Sequence, residues 1–355
     1  MSVVTGAKPV RAEDAFDVEA AVAWLRSNTD PRYAVGLAGV PEVLQFSGGA
    51  SNLTYLLRFA DLDLVLRRGP SGTKAKGAHD MGREHRIQAA LAPVFPYVAT
   101  MVAFCDDPAV LGGDFYVMER LVGTVPRREM PVELSPSQAS SLCETMLDVL
   151  VELHTVDPGA CGLDTLGKGE GYVRRQVEGW SARYRRAHTS GQPDLEHAMS
   201  WLDEHQPADV RSGVIHNDYK LDNLVLAEDD PTRIVGIFDW EMATIGDPLM
   251  DLGAALAYWI QADDDEDFQA FRRVPTHLPG MLTRDQMIEG YCQRMGADLT
   301  PRQTLFYQAY GVFRLAVIAQ QIYYRYANGQ TTNEAYAVFG PAVQILDRRL
   351  RKLLA

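Results

Sequence analysis

Within residues 214–251, His216, Asp218 and Asn223 stand at the spacing H-x-D-x-x-x-x-N, and Asp239 follows the apolar run Ile234, Val235, Gly236, Ile237, Phe238. No other stretch constrains this chain as strongly. Leu224, Val225 and Leu226 form one short apolar run, residues 227–232 an acidic turn with Pro231, and residues 233–238 a second run, which is the pattern of a β-hairpin. A hairpin predicts that its outer ends lie side by side, with Asn223 next to Asp239. A carboxylate and an amide oxygen converging on one point suit Mg²⁺, a hard ion that keeps waters and nucleotide phosphate oxygens in its shell. Asp218, on the loop before the first strand, is placed to accept a hydroxyl proton, Lys220 to touch a transferred phosphate, and His216 belongs to the same catalytic set. A set of ordinary polar loop residues would have to reproduce the triplet spacing, the hairpin and the second Asp at once. Phosphoryl transfer is the chemistry this pattern predicts.

The segments HNDYKLDN, IFDWE and GDPLMDLG resemble the catalytic region of the aminoglycoside phosphotransferase and choline kinase relatives of protein kinases. The resemblance implies that Asp218 is the catalytic base, that Asn223 and Asp239 are the Mg²⁺ ligands, and that Asp251 buttresses the catalytic loop. Asn217 stands where small-molecule kinases of this group usually carry Gly.

A length of 355 residues suits two lobes, and 46% hydrophobic with 23% charged residues describes a globular chain with a sizeable core. No run of eighteen apolar residues and no apolar signal core near Met1 is present, so no membrane partner and a cytoplasmic location are expected. Cys105, Cys143, Cys161 and Cys292 are scattered without a C-x-x-C pair, which argues against a zinc site and a disulfide framework. A net charge of −13 disfavours nucleic acid as a partner, because binding a polyanion relies on clustered Lys and Arg. A kinase of this balance gathers positive charge locally around ATP and lets Mg²⁺ neutralise its phosphates.

In the N-terminal part a helix is expected over 17–28, then strands over 43–46, 53–59 and 62–67, and later over 101–104 and 115–121. Gly48, Gly49, Ser51 and Asn52 lie between the first two strands. They make either a simple turn or a loop whose backbone lies over phosphates. Arg67 takes the position at which kinases carry a strand lysine; its planar fork can hold α- and β-phosphate oxygens. Its expected partner is Glu84, on a helix over 80–91. Glu119 to Gly123, with Leu121, read as the hinge on which an adenine pairs with backbone groups.

From residue 135 onward the chain reads as mostly helical, with helices over 138–154, 248–261, 304–326 and 336–354. In residues 172–188, Val173, Val177, Trp180, Tyr184 and Ala187 share a packing face, and Tyr172, Arg175, Gly179, Arg183 and Arg186 fall opposite. Those arginines are either a solvated basic face or a face toward an anionic substrate.

Taken together, QFSGGASNLTYLLRF, DLVLRRGPSGT, FYVMERLVG, YVRRQVEGW, HNDYKLDNLV, FDWEMATIGDPLMDL and FRLAVIAQQIYYR resemble the phosphotransferase domain of the acyl-CoA dehydrogenase family members ten and eleven and its stand-alone bacterial relatives. In that group arginine also stands at the strand position of Arg67. The resemblance implies ATP-dependent phosphorylation of a hydroxyl on a hydroxyacyl thioester or similar acid, with any acyl-CoA dehydrogenase partner a separate protein. The expected fold is α+β and bilobal, protein-kinase-like. A nucleotide-binding lobe over 1–121 carries a five-stranded antiparallel sheet plus a helix, and a mainly helical catalytic and substrate-binding lobe covers 122–355. Two rival readings are an antibiotic-modifying aminoglycoside phosphotransferase and a module that senses ATP without turning it over.

Overall fold

The computed structural model describes residues 6–46, 52–70, 80–208, 211–331 and 333–355. The chain forms two compact units, Met1–Thr124 with Val235–Glu241, and Val125–Ile234 with Met242–Ala355.

The first unit is built on strands β1 (Ala7–Pro9), β2 (Glu42–Phe46), β3 (Leu53–Arg58), β4 (Asp63–Arg68), β5 (Met101–Cys105) and β6 (Phe115–Glu119), with helices α1 (Val18–Asn28), α2 (Met81–Leu91) and α3 (Pro108–Leu111). The sheet order is β1-β2-β3-β4-β6-β5 and every pair is antiparallel. The five expected strands are there, and β1 adds a sixth at the edge, where Pro9 costs little. Alternation along the strands sorts the two faces. Tyr55, Leu57, Leu64, Leu66, Phe115 and Val117 pack with Ala21, Val22 and Leu25 of α1, whereas Val65, Tyr116 and Met118 pack with Met81 of α2. Arg67 has the parity of Val65, so its side chain leaves the sheet on the face that α2 covers. Asp17 and Asp80 cap α1 and α2 by accepting the Ala20 and Arg83 amides.

The second unit carries helices α4 (Pro136–Thr155), α5 (Tyr172–Ala187) and α6 (Glu196–Glu204), then strands β7 (Gly213–Ile215), β8 (Leu224–Leu226) and β10 (Thr244–Gly246); of β9 (Ile234–Ile237) only Ile234 belongs to it. Helices α7 (Pro248–Leu256), α8 (Glu266–Ala270), α9 (Arg284–Met295), α10 (Pro301–Ala327) and α11 (Phe339–Leu353) complete it. β7 pairs with β10, and β8 with β9 makes the expected hairpin, closed by the Ala227 amide donating to the Arg233 carbonyl at 2.9 Å. The chain passes from the second unit to the first within β9. Helix α7 stops at Leu256 rather than at residue 261. Capping boxes start α4 (Ser135/Gln138), α9 (Thr283/Gln286) and α10 (Thr300/Gln303). α7 and α10 touch backbone to backbone: a Cβ on Gly311 would lie 1.9 Å from the Gly253 carbonyl oxygen, and one on Gly253 would lie 2.3 Å from that of Tyr307. Among the described residues no helix is long and apolar enough to cross a membrane.

Candidate active site

The loop between β7 and β8 carries His216, Asp218, Lys220 and Asn223. It is anchored from α7 by the fully buried Asp251, whose Oδ2 accepts the His216 amide at 2.7 Å and whose Oδ1 accepts the Asn217 amide at 2.8 Å. His154 on α4 holds Asp251 Oδ2 through Nε2 at 3.1 Å and reaches the Tyr291 hydroxyl through Nδ1 at 2.7 Å. Burial alone would raise the Asp251 carboxyl, but His154 and His216 outweigh it and hold the group below its ordinary range. Asn217 has φ +64°, a left-handed conformation that Asn tolerates better than most side-chain-bearing residues. Asn at this position fits that conformation.

Asp218 is the centre of the loop. Lys220 Nζ donates to its Oδ2 at 2.6 Å, and the Asn223 amide nitrogen donates to the same oxygen at 2.9 Å and to the Asp218 carbonyl at 2.8 Å. No hydrogen bond to Asp218 Oδ1 occurs among the described residues. The Asp218 amide donates to His216 Nδ1 at 3.2 Å. His216 is itself fully buried, so the structure places it as a turn former beneath the loop. Lys220 sits 4.8 Å from the ring centroid of Tyr258. Burial works against the Lys220 charge, but Tyr258, Asp218 and Asp222 outweigh it and push its pKa upward.

In the first unit, Arg67 meets two carboxylates. Its Nε lies 3.3 Å from Glu84 Oε1 and its Nη2 donates to Asp239 Oδ1 at 2.7 Å. The expected pair with Glu84 is present, and Asp239 joins it. Glu84 is 2% exposed, and among the described residues its Oε2 has no hydrogen-bond partner; burial raises its carboxyl from 4.5 to about 7 against the opposing pull of Arg67. Asp239 has φ +66°, a strained conformation at the residue where a metal ligand is expected. Asn52 donates to Glu241 Oε2 at 3.2 Å. Glu119 accepts the Tyr33 hydroxyl at 2.6 Å, and its amide donates to the Thr100 carbonyl at 2.9 Å. Leu121 packs over Gly236, where an added Cβ would come within 2.3 Å of its Cδ1. Gly48, Gly49 and Ser51 lie outside the described residues. Asn223 belongs to the second unit and Asp239 to the first.

Helix α5 buries Val173, Val177, Trp180, Tyr184 and Ala187 as its periodicity predicts. Tyr172 departs from the arginine side: it is buried, and its hydroxyl lies 3.4 Å from the Asn217 side chain. Its ring lies over Gly246, where an added Cβ would come within 2.6 Å of its Cζ. Arg175 donates to the Gly169 carbonyl at 2.7 Å and to the Glu170 carbonyl, and Arg183 lies 4.6 Å over the Trp180 ring. Arg186 is exposed. The row therefore presents fewer uncommitted arginines than its spacing suggests.

Three neighbours of the loop escaped the sequence reading. They are His154, Tyr258 and Arg314, whose Nη2 donates to the Asn217 carbonyl at 2.7 Å. The one available signal was Arg314, a cation inside the otherwise apolar run VFRLAVIA. Among the described residues no group of three or more His, Cys, Asp or Glu side chains could hold a metal ion unaided.

A family model described as "Phosphotransferase enzyme family" matches residues 42–285. The chain is 35% identical over 331 residues to acyl-CoA dehydrogenase family member 10 of Mus musculus, which covers 93% of this chain and 30% of that protein. It is 31% identical over 306 residues to family member 11 of Homo sapiens, covering 86% of this chain and 39% of that protein. The chain thus spans less than half the length of these curated relatives. A solved structure from Ralstonia eutropha, provisionally assigned as an aminoglycoside phosphotransferase, is 31% identical with a TM-score of 0.80, covering 96% of this chain and 98% of that one. Choline kinase from Cryptosporidium parvum, 13% identical, shares the fold at a TM-score of 0.57 over 94% of this chain and 98% of that one.

Proposed function

Because the chain belongs to the phosphotransferase enzyme family, we propose that it transfers the γ-phosphoryl group of ATP to a hydroxyl of a small anionic acceptor, a hydroxy acid or hydroxyacyl thioester. The observation that carries this reading is the asymmetry of Asp218. One carboxylate oxygen is held by Lys220 and Asn223, and the other is left to take the hydroxyl proton. Lys220, drawn from Asp218 toward the transferred group, steadies developing charge there. ATP with Mg²⁺ supplies the phosphoryl group and screens its charge when bound.

Asn223 and Asp239 are the ligands we assign to Mg²⁺, and their chemistry fits. Asn223 spends its amide nitrogen on Asp218, Asp239 spends Oδ1 on Arg67, and no hydrogen bond to Asn223 Oδ1 or Asp239 Oδ2 occurs among the described residues. The amide oxygen of Asn223 and the carboxylate oxygen of Asp239 are each of the hard kind that Mg²⁺ takes alongside water and phosphate. Arg67 holds phosphate oxygens while Glu84 steadies its guanidinium, and residues 119–123 hold the adenine by backbone groups. Two cations near Asp218, Lys220 and Arg314, favour an anionic acceptor. The names of the relatives favour an acyl one and a separate acyl-CoA dehydrogenase as pathway partner.

A second reading, a cationic amino-sugar acceptor, is favoured by the assignment of the Ralstonia eutropha structure. The test is a screen of hydroxyacyl-CoA, hydroxy acid, choline and aminoglycoside acceptors with phosphorylated product detected by mass. Asp218→Asn is expected to lower turnover by about two to four orders of magnitude with nucleotide affinity retained. Unchanged turnover would refute the assignment of the base. ATP binding with no product from any acceptor would favour an ATP sensor.

A further inference from the structure

We infer that Arg314 is a positioning residue of the phosphoryl-transfer site: it locks the peptide plane that carries Asp218. The inference deepens the proposed reaction and rests on Asp218 being its base.

Arg314 lies in α10 between Phe313 and Leu315 and is 2% exposed. Among the described residues no carboxylate oxygen lies within ion-pair distance of it. A buried cation without a counter-ion is retained only where other groups compensate its lost hydration. Here the compensation is local to the catalytic loop. Nη2 donates to the Asn217 carbonyl at 2.7 Å and the guanidinium carbon lies 5.2 Å from the centroid of Trp180; burial opposes the Arg314 charge, but Tyr310, Tyr258 and Asp218 outweigh it.

Asn217 is thereby held at both ends, its N–H by Asp251 Oδ1 at 2.8 Å and its C=O by Arg314. Between the two anchors the residue stays in the left-handed conformation, at φ +64°. The Asn217 carbonyl and the Asp218 amide share one peptide plane, and that amide donates to His216 Nδ1 at 3.2 Å. Fixing this plane fixes the direction in which the Asp218 side chain leaves the backbone. Without Arg314 the plane is held only through its N–H, by the 3.2 Å bond to His216 Nδ1; Arg314 adds a 2.7 Å hold on its carbonyl edge. An arginine kept only for packing would have no need to end its one hydrogen bond to oxygen on the residue before the base.

The test compares full-length wild type, Arg314→Lys and Arg314→Gln by three readouts. These are amide hydrogen exchange over residues 216–220, MgADP affinity by calorimetry, and kcat and KM for ATP hydrolysis with water as acceptor. Arg314→Gln is expected to speed exchange at 217–219 about tenfold or more and to lower kcat about 10- to 100-fold, with KM for ATP and MgADP affinity within about twofold. Arg314→Lys keeps the charge but not the planar fork and is expected to lose about 3- to 10-fold in kcat. Wild-type exchange and kcat in folded Arg314→Gln overturn the inference, whatever its Tm. If Arg314→Gln does not fold, wild-type exchange and kcat in Arg314→Lys overturn it instead. A wild type that binds MgADP yet hydrolyses no ATP and phosphorylates no acceptor refutes the proposed reaction, and hydrogen exchange then decides separately whether Arg314 clamps the loop.

Discussion

At Glu84 burial and charge pairing pull in opposite directions, and pH reads out which wins. Its carboxyl is 2% exposed and raised to about 7, chiefly by burial, although Arg67 lies 3.3 Å away. Arg67 stays a cation throughout, its charge opposed by burial but favoured by Tyr116, Glu84 and Asp239. Between 4.5 and about 7 the folded protein keeps a proton on Glu84 that the unfolded chain has released. The stability this group contributes is fully present below its unfolded pKa and is lost as pH rises through its folded one. At roughly 1.4 kcal/mol per pH unit the loss over that interval is about 3 kcal/mol. Glu84→Gln abolishes the titration and nearly preserves shape, so subtracting the variant's urea-denaturation free energy from the wild type's removes most other titrations. Measured from about pH 4 to about pH 8, wild type is expected to lose about 3 kcal/mol relative to Glu84→Gln. A difference that stays flat or rises with pH would refute the reasoning and show that the ion pair outweighs burial.

Two further substitutions probe the second unit. Gly311→Ala sets a Cβ 1.9 Å from a backbone oxygen of α7, which no rotamer change relieves. It is expected to cost about 3 kcal/mol or more in denaturant unfolding, and a loss under about 0.5 kcal/mol would contradict the close helix contact. Asp251→Asn keeps one acceptor and turns an NH₂ toward a buried backbone amide. A loss of about 2–3 kcal/mol is expected by urea denaturation, together with lower turnover, and unchanged stability would remove Asp251 from its anchoring role.

Features set by local pattern were legible in the chain itself. The hairpin and the helix of Glu84 follow from runs, periods and breakers, as does the packing face of α5, and the H-x-D-x-x-x-x-N spacing marks the loop of Asp218. What could not be read depended on partners remote in sequence. Three residues ending in Pro9 give β1 no alternation to recognise. Tyr172 falls among arginines on a helical wheel, yet its ring packs over Gly246 and reaches Asn217, partners that a wheel cannot show. Arg175 looked available because a wheel cannot show the carbonyls of Gly169 and Glu170 curling back to meet it. Arg314 was visible as an anomaly, but only the fold names its target.

The first unit is made from two pieces of chain, and the second piece is seven residues that arrive late. Residues 235–241 bring Asp239 to Arg67, and their Ile237 amide donates to the Tyr97 carbonyl at 2.7 Å while Trp240 meets Phe95 edge to face. During synthesis on a ribosome the strands can pair once β6 has emerged, but Arg67 and Glu84 lack the second carboxylate, that of Asp239, until more than a hundred further residues have followed. A fragment ending at Thr124 would stop the unit permanently at that stage. For this chain the order of translation places Arg67 and the residues that complete its surroundings at opposite ends of a long delay, during which the half-built unit is open to proteases and holdase chaperones.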